Sequence, residues 1–239
     1  ITAFYKLFDK QDYKSDYKML MGGPVGMKGV TSWYIRIGEW AFHLFVLNIL
    51  WFLFSLSGLF ILGIFPATAA IHAVMRKLIM SADNVSIIKL FWNTFKAEFL
   101  KSNLLGYIFL VAGSIIYINL RVLQQLDANI FNQFMIVITY LAGLLYLLTL
   151  IHVFPVLVHF NFKTIDYIKY AFVLSVGKPL QSILMIAVLV LTILLFFQVP
   201  GLIPVFGIGL ISFIIMKISS RSFPGLEHSY DRKNTHSTQ

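Results

Sequence analysis

The 239-residue sequence predicts an all-α, polytopic transmembrane helix bundle, with about five spans and two cytoplasmic amphipathic helices. Its residues are 59% hydrophobic and 12% charged, whereas soluble domains average about 45–50% apolar and about 25% charged residues. The apolar residues form long blocks, and about 20 consecutive apolar residues cross the hydrocarbon core of a bilayer. Most basic residues lie between these blocks, where topology signals are found. These three observations favour a membrane protein.

Four blocks are long enough to span a membrane, and a fifth is shorter. The four are residues 40–65, 104–122, 131–158 and 180–197. The fifth block, residues 199–216, begins with a turn that contains two prolines and a glycine. A full fifth crossing is the preferred interpretation, and a re-entrant or interfacial segment is the alternative.

The charges that flank the spans predict the orientation, because Lys and Arg are enriched in cytoplasmic loops. With five crossings, one side carries Arg76, Lys77, Lys89, Lys96, Lys101, Lys163, Lys169, Lys178, Lys217, Arg221, Arg232 and Lys233. The other side carries Lys28, Arg36 and Arg121, and it stays less basic when Lys6, Lys10, Lys14 and Lys18 are added. The N-terminus is therefore predicted outside and the C-terminus in the cytoplasm.

The connection over residues 85–101 is predicted to form an amphipathic helix. Its apolar residues Ile87, Phe91, Phe95 and Phe99 recur every four positions, and its lysines fall largely away from that stripe. This pattern is typical of a helix that lies in the headgroup region of a membrane.

A second, shorter amphipathic helix is predicted over residues 162–176, with Thr164 as its N-cap. A Phe-Pro pair lies near the end of both the first and the third span, at residues 65–66 and 154–155. The order span, amphipathic helix, span therefore occurs twice. Internal duplication is one interpretation, and the similarity of apolar blocks to one another by chance is the other.

These boundaries divide the chain into three regions. Residues 1–32 are an N-terminal extension, residues 33–218 form the transmembrane domain, and residues 219–239 are a polar C-terminal tail. The repetitive run DYKSDYK at residues 12–18 suggests that part of the extension is not native sequence.

No pattern in the sequence predicts catalysis, a cofactor or a metal ion. The chain has no cysteine, and His152 and His159 lie two helical turns apart without the further ligands that a metal ion requires. Phosphate-binding loops and nucleophile elbows are lacking. Acidic residues lie at span edges or in connections, which counts against an ion-coupled carrier. The basic residues are scattered among the connections, so nucleic-acid binding is also disfavoured.

A polar group at the start of the first span has two interpretations. Arg36, Glu39 and His43 share one helix face. An interfacial pair with snorkelling side chains is favoured, and a relay or ligand contact at the outer surface is the alternative.

The remaining candidates are contacts between helices or with a partner protein. Asn48 lies about two turns into the first span, where an amide needs a hydrogen-bond partner. Pro66 is predicted to end or kink the first helix, and the small residues after it permit close approach of a neighbouring helix. The candidate residues are Asn48, Pro66, Thr68, Phe91, Phe95 and Phe99.

Three motifs, in this order, resemble the YesL-like family of bacterial integral membrane proteins. They are Asn48-Ile49-Leu50-Trp51, Pro66-Ala67-Thr68-Ala69-Ala70 and Phe91-Trp92-Asn93-Thr94-Phe95-Lys96. The resemblance is clearest from residue 33 to residue 110. The family has a glycine directly before the second motif, whereas this chain has Phe65 there and Gly63 two positions earlier.

The resemblance implies a domain of unknown function without assigned catalytic residues. The resemblance also implies that genes of this family tend to lie beside the genes for ABC-type carbohydrate importers, mostly in Gram-positive bacteria. The hypothesis is therefore a non-enzymatic accessory or assembly subunit of an oligosaccharide importer in the plasma membrane. Its partners would be the lipid bilayer and ABC permease subunits or another membrane protein, with oligosaccharide contacted only indirectly.

Two other functions remain open. A stand-alone transporter or channel would need a polar path, and several of its spans should then have one polar face. A membrane sensor is the third possibility, although the sequence contains no soluble signalling domain.

Overall fold

A computed structural model describes residues 28–80, 86–127 and 129–220, and these residues are mainly helical. The helices are α1 (Lys28–Ser57), α2 (Ile64–Met80), α3 (Ile87–Ala97), α4 (Phe99–Leu123), α5 (Ile130–His159), α6 (Thr164–Gly177), α7 (Pro179–Gln198) and α8 (Ile203–Ser220), with a 3-10 turn at Pro200–Leu202. The described residues divide into two units, one up to His43 and one from Leu44 onward. Apart from a ring contact between Trp40 and His43 in the first unit, the packing described below lies within the second unit.

Five segments among the described residues are long and apolar enough to cross a membrane. They are Ile37–Ser57, Phe99–Leu123, Ile130–His159, Pro179–Gln198 and Pro200–Ser220. Only 11% of the apolar stretch in α5 is buried inside the protein, so most of its surface requires lipid. The predicted all-α polytopic bundle is confirmed, and the fifth segment has a full spanning length.

The first span ends earlier than the sequence pattern predicted. Helix α1 stops at Ser57, and Leu59 adopts a positive φ of 53° in the turn before α2. A Cβ atom on Gly63 would lie 2.5 Å from the Ser55 carbonyl oxygen, so glycine permits this close backbone approach. Pro66 lies in the first turn of α2, where its missing N–H costs no helical hydrogen bond. The prediction that Pro66 ends or kinks the first helix is therefore wrong.

Helix α2 occupies the centre of the second unit. It packs against α3, α4, α5 and α8, and Ala67, Ala69 and Ala70 are completely buried. Small side chains allow neighbouring helix backbones to approach closely, and dispersion contacts then hold the helices together. Ala69 also joins a buried apolar cluster with residues of α4, α5 and α6.

Both predicted amphipathic helices are present, but each differs from its prediction in one respect. Phe91 and Phe95 of α3 are buried against other helices, so the aromatic stripe contacts protein and not headgroups. Helix α6 has Lys163 at its N-cap, because the backbone turns helical at Thr164 itself. The prediction of Thr164 as the N-cap is therefore off by one residue.

The two halves of the bundle use similar local contacts at corresponding positions. His72 of α2 and His152 of α5 each donate a hydrogen bond from Nδ1 to the carbonyl four residues earlier. Ser102 of α4 and Ser182 of α7, equally far apart in the sequence, do the same through their hydroxyl groups. Internal duplication would produce such matches, with α2 and α5 as corresponding helices. The two Phe-Pro pairs do not fit the same spacing, however, since Pro66 lies in the first turn of α2 and Pro155 lies near the end of α5. Internal duplication stays a prediction.

Candidate functional site at the C-terminal half of helix α1

The C-terminal half of α1 brings the three sequence motifs together. Asn48, Trp51 and Phe54 are spaced by three residues, so they follow one another along one side of the helix. Each contacts a different element: Asn48 reaches α8, Trp51 reaches α2, and Phe54 reaches α3. We call these three residues the α1 contact row.

Asn48 binds the backbone of α8 at a break in that helix. Gly207 has non-helical backbone angles (φ −14°, ψ −105°). The Asn48 Nδ2 group donates to the carbonyl oxygens of Ile203, at 3.2 Å, and Pro204, at 2.5 Å. The Asn48 Oδ1 atom accepts a hydrogen bond from the Ile208 N–H, at 3.1 Å. In an unbroken helix that N–H would bond the Pro204 carbonyl, so the Asn48 side chain replaces contacts that the break removes.

Trp51 and Thr68 connect α1 to α2. The indole Nε1 of Trp51 donates to the Thr68 hydroxyl oxygen, at 3.1 Å. The Thr68 hydroxyl in turn donates to the Ile64 carbonyl, at 2.7 Å. A buried indole N–H usually needs a partner, and the second motif supplies it.

Phe54 packs into the aromatic face of α3. Its ring centroid lies 5.2 Å from that of Phe91, 5.4 Å from Trp92 and 5.0 Å from Phe95. Phe99, at the start of α4, continues the cluster through an edge-on contact with Phe95, at 5.7 Å. The structure therefore places the three candidate phenylalanines, Phe91, Phe95 and Phe99, in contacts between helices.

The turn between α1 and α2 is held by side chains of α4 that the sequence reasoning missed. Asn103 donates to the Leu62 carbonyl at 3.0 Å, and Tyr107 donates to the Ile61 carbonyl at 2.8 Å. The Phe65 ring lies directly over Gly106, where a Cβ would collide with it. The sequence feature that could have indicated these contacts is Asn103, a polar side chain at the start of an apolar block.

His72 is the most buried titratable group near this region. Its ring is fully buried and stacks on Phe154 of α5, with centroids 5.9 Å apart. Burial lowers the pKa of His72 to about 4, against the opposing effect of the hydrogen bond to the Thr68 carbonyl. The Nε2 atom has no hydrogen-bond partner. The ring is therefore neutral at physiological pH and fills space between α2 and α5.

The structure describes two of the three polar residues at the start of the first span, Glu39 and His43. His43 packs edge-on against Trp40, with ring centroids 6.4 Å apart, while Glu39 is exposed. The Arg36 side chain lies outside the described residues. Across residues 28–80, 86–127 and 129–220, the structure has no group of three or more His, Asp or Glu residues that could hold a metal ion.

The fold and these contacts define a multi-pass helical membrane protein that is organised around the α1 contact row and helix α2. The chain belongs to the family described as "Protein of unknown function, DUF624", whose profile matches residues 44–120. That range contains the α1 contact row, all of α2 and the aromatic face of α3. The resemblance to the YesL-like family is thus confirmed.

Three relatives from Bacillus subtilis (strain 168) extend the similarity over most of the chain. YteU is 40% identical over 188 residues, which cover 77% of this chain and 82% of YteU. YesV is 36% identical over 181 residues (76% and 86%), and YesL is 30% identical over 195 residues (81% and 91%). All three are described as uncharacterized proteins. No solved structure matches the chain.

Proposed function

We propose that this protein is a non-enzymatic accessory or assembly subunit of an ABC-type carbohydrate importer in a bacterial plasma membrane. The observation that carries the proposal is the use of the polar side chains within the spans. Thr139, Thr149 and Thr192 each donate to the carbonyl four residues earlier in the same helix. Such hydroxyl groups satisfy their own helix and do not line a polar path for a solute.

Other polar groups of the spans form hydrogen bonds between helices. Asn48 is bound to the α8 backbone, Asn119 donates to Thr139 at 3.1 Å, and the Tyr146 hydroxyl donates to the Phe109 carbonyl at 3.0 Å. These groups lie on different helices and do not form one shared polar face. The arrangement favours a packed bundle that supports other subunits over a stand-alone transporter.

Helix α6 offers the surface for a partner subunit. Phe91 and Phe95 of α3 are already buried inside the protein, whereas α6 exposes Ile165 by 64% and Val173 by 63%. A partner helix would cover these exposed apolar side chains. Helix α6 is held in place for such a contact, because the Tyr167 hydroxyl accepts a hydrogen bond from the Phe162 N–H and donates one to the Phe160 carbonyl.

The test is affinity purification from native membranes after mild cross-linking. The wild-type chain should recover permease and ATPase subunits of a carbohydrate importer, and V173D should recover them several-fold less. Q125D is the matched control, since it adds the same charge at an exposed position in the connection between α4 and α5. If the wild-type chain recovers no importer subunit, the accessory role is refuted. If recovery is unaffected by V173D, the assignment of α6 as the docking helix is refuted.

A stand-alone transporter remains the second candidate. Uptake of an oligosaccharide by liposomes that contain only the purified protein would favour it and reverse the ranking.

The proposed orientation places the N-terminus outside and the C-terminus in the cytoplasm. Since the chain has no cysteine, single introduced cysteines report the side directly. In intact cells, an impermeant thiol reagent should label D127C and leave N93C unlabelled. The reverse pattern would invert the orientation.

A further inference from the structure

The outward face of α3 carries a basic and aromatic stripe that stays exposed, although the Trp92 ring also contacts Phe54. Lys89, Trp92 and Lys96 lie three and four residues apart, so they share one side of the helix. All three are exposed, Trp92 by 43%, and the Lys96 ammonium lies 4.7 Å from the centroid of the Trp92 ring. Helix α3 contains no acidic residue.

The position of this stripe relative to the spans indicates what it contacts. Only Glu98 separates α3 from the spanning helix α4, so the stripe lies beside the start of a membrane crossing. Tryptophan is enriched at the boundary between hydrocarbon and headgroups. Lysines beside it reach the phosphate groups, and each lysine near the surface adds attraction for anionic lipids.

The corresponding face of α6 has a different character. Lys169 is paired with Asp166, at 3.4 Å, and the exposed neighbours of this pair include the apolar residues Ile165 and Val173. The two amphipathic helices therefore present different surfaces at one end of the bundle, since only α3 combines an exposed tryptophan with two lysines and no acid.

We propose that the Lys89–Trp92–Lys96 face of α3 binds the phosphate headgroups of anionic phospholipids. The indole lies at the level of the glycerol backbone, and the two ammonium groups hold phosphates on either side of it. This interaction anchors α3 at the membrane surface, and it is independent of whether the protein assists an importer.

The experiment reconstitutes the full chain in vesicles that contain brominated phosphatidylglycerol or, at the same mole fraction, brominated phosphatidylcholine. Bromine quenches tryptophan fluorescence on contact. The emission of Trp92 is obtained by difference between the wild-type chain and W92F. Two lysines near the surface correspond to about a thirtyfold preference for the anionic lipid at low salt, so the brominated phosphatidylglycerol should quench Trp92 at a much lower mole fraction.

Two variants decide between a specific face and general charge attraction. The double variant K89Q/K96Q should lose most of the preference, and about 1 M salt should remove it as well. The variant K169Q should retain it, because Lys169 lies on α6 and is already paired. Equal quenching by the two lipids in the wild-type chain would overturn the proposal. So would a preference that survives K89Q/K96Q or falls equally in K169Q.

Discussion

Replacing Asn48 by alanine tests whether one amide holds the broken end of α8. The Asn48 side chain makes three hydrogen bonds to the α8 backbone, with Ile203, Pro204 and Ile208. Hydrogen bonds between membrane helices contribute on average about 0.6 kcal/mol each, up to about 1.7 kcal/mol, which gives about 2 kcal/mol for the three. Leaving the half-buried Ile208 N–H without an acceptor adds about 1 kcal/mol, the lower end of the range for an unpaired polar group. We therefore expect N48A to lower the free energy of unfolding by about 3 kcal/mol.

The assay is reversible unfolding of the purified protein in mixed micelles, followed by helix content. N93A is the control, because Asn93 lies on the exposed face of α3 and should change the stability by less than about 0.5 kcal/mol. Amide exchange at Ile208 gives a local reading, since its N–H loses its acceptor in N48A and should exchange faster. A stability loss in N48A no larger than in N93A, with unchanged exchange at Ile208, would refute the role of Asn48.

Two further predictions concern helix α2 and its turn. G63A forces a Cβ to within 2.5 Å of the Ser55 carbonyl oxygen and should cost about 1–3 kcal/mol or more. G177A, which meets nothing within 4 Å, should be neutral or slightly stabilising, and thermal midpoints that show equal losses for both would contradict this reading. His72 binds its proton at about pH 4 when folded and near pH 6.5 when unfolded, so stability should fall as the pH drops from 6.5 to 4, by up to about 3 kcal/mol. H72Q should lose this part of the pH dependence, and parallel wild-type and H72Q profiles between pH 7 and pH 4 would show that His72 is not the group responsible.

The positions of the spanning helices could be predicted because lipid imposes long apolar blocks on the sequence. The break between α1 and α2 could not, since hydropathy treats residues 58–65 as a continuation of the first block. The available signal was the pair Gly58 and Gly63, whose missing side chains permit the tight turn. Hydropathy predicts whether a segment lies in lipid, but it does not predict where the helix in that segment ends.

The sequence identified the residues of the candidate site, but it could not predict which of them contact one another. The partner of Asn48 is 155 residues away in the chain, and no local pattern links the two positions. Periodicity recognised the stripe of Phe91 and Phe95 but assigned it to headgroups, because an amphipathic pattern does not say whether lipid or protein covers the apolar side. Phe54, which covers that stripe, is one apolar residue among many in the first span.

The central claim is that five helices cross a bilayer, and single cysteines in the four intervening connections test the crossings of α4, α5 and α7 most directly. We expect N93C and N161C to react with an impermeant thiol reagent from one side of the membrane, and D127C and V199C from the other. This alternation follows from a crossing by each of α4, α5 and α7, because one of these helices lies between each pair of successive connections. If N93C and D127C, D127C and N161C, or N161C and V199C react from the same side, the helix between them does not span the membrane.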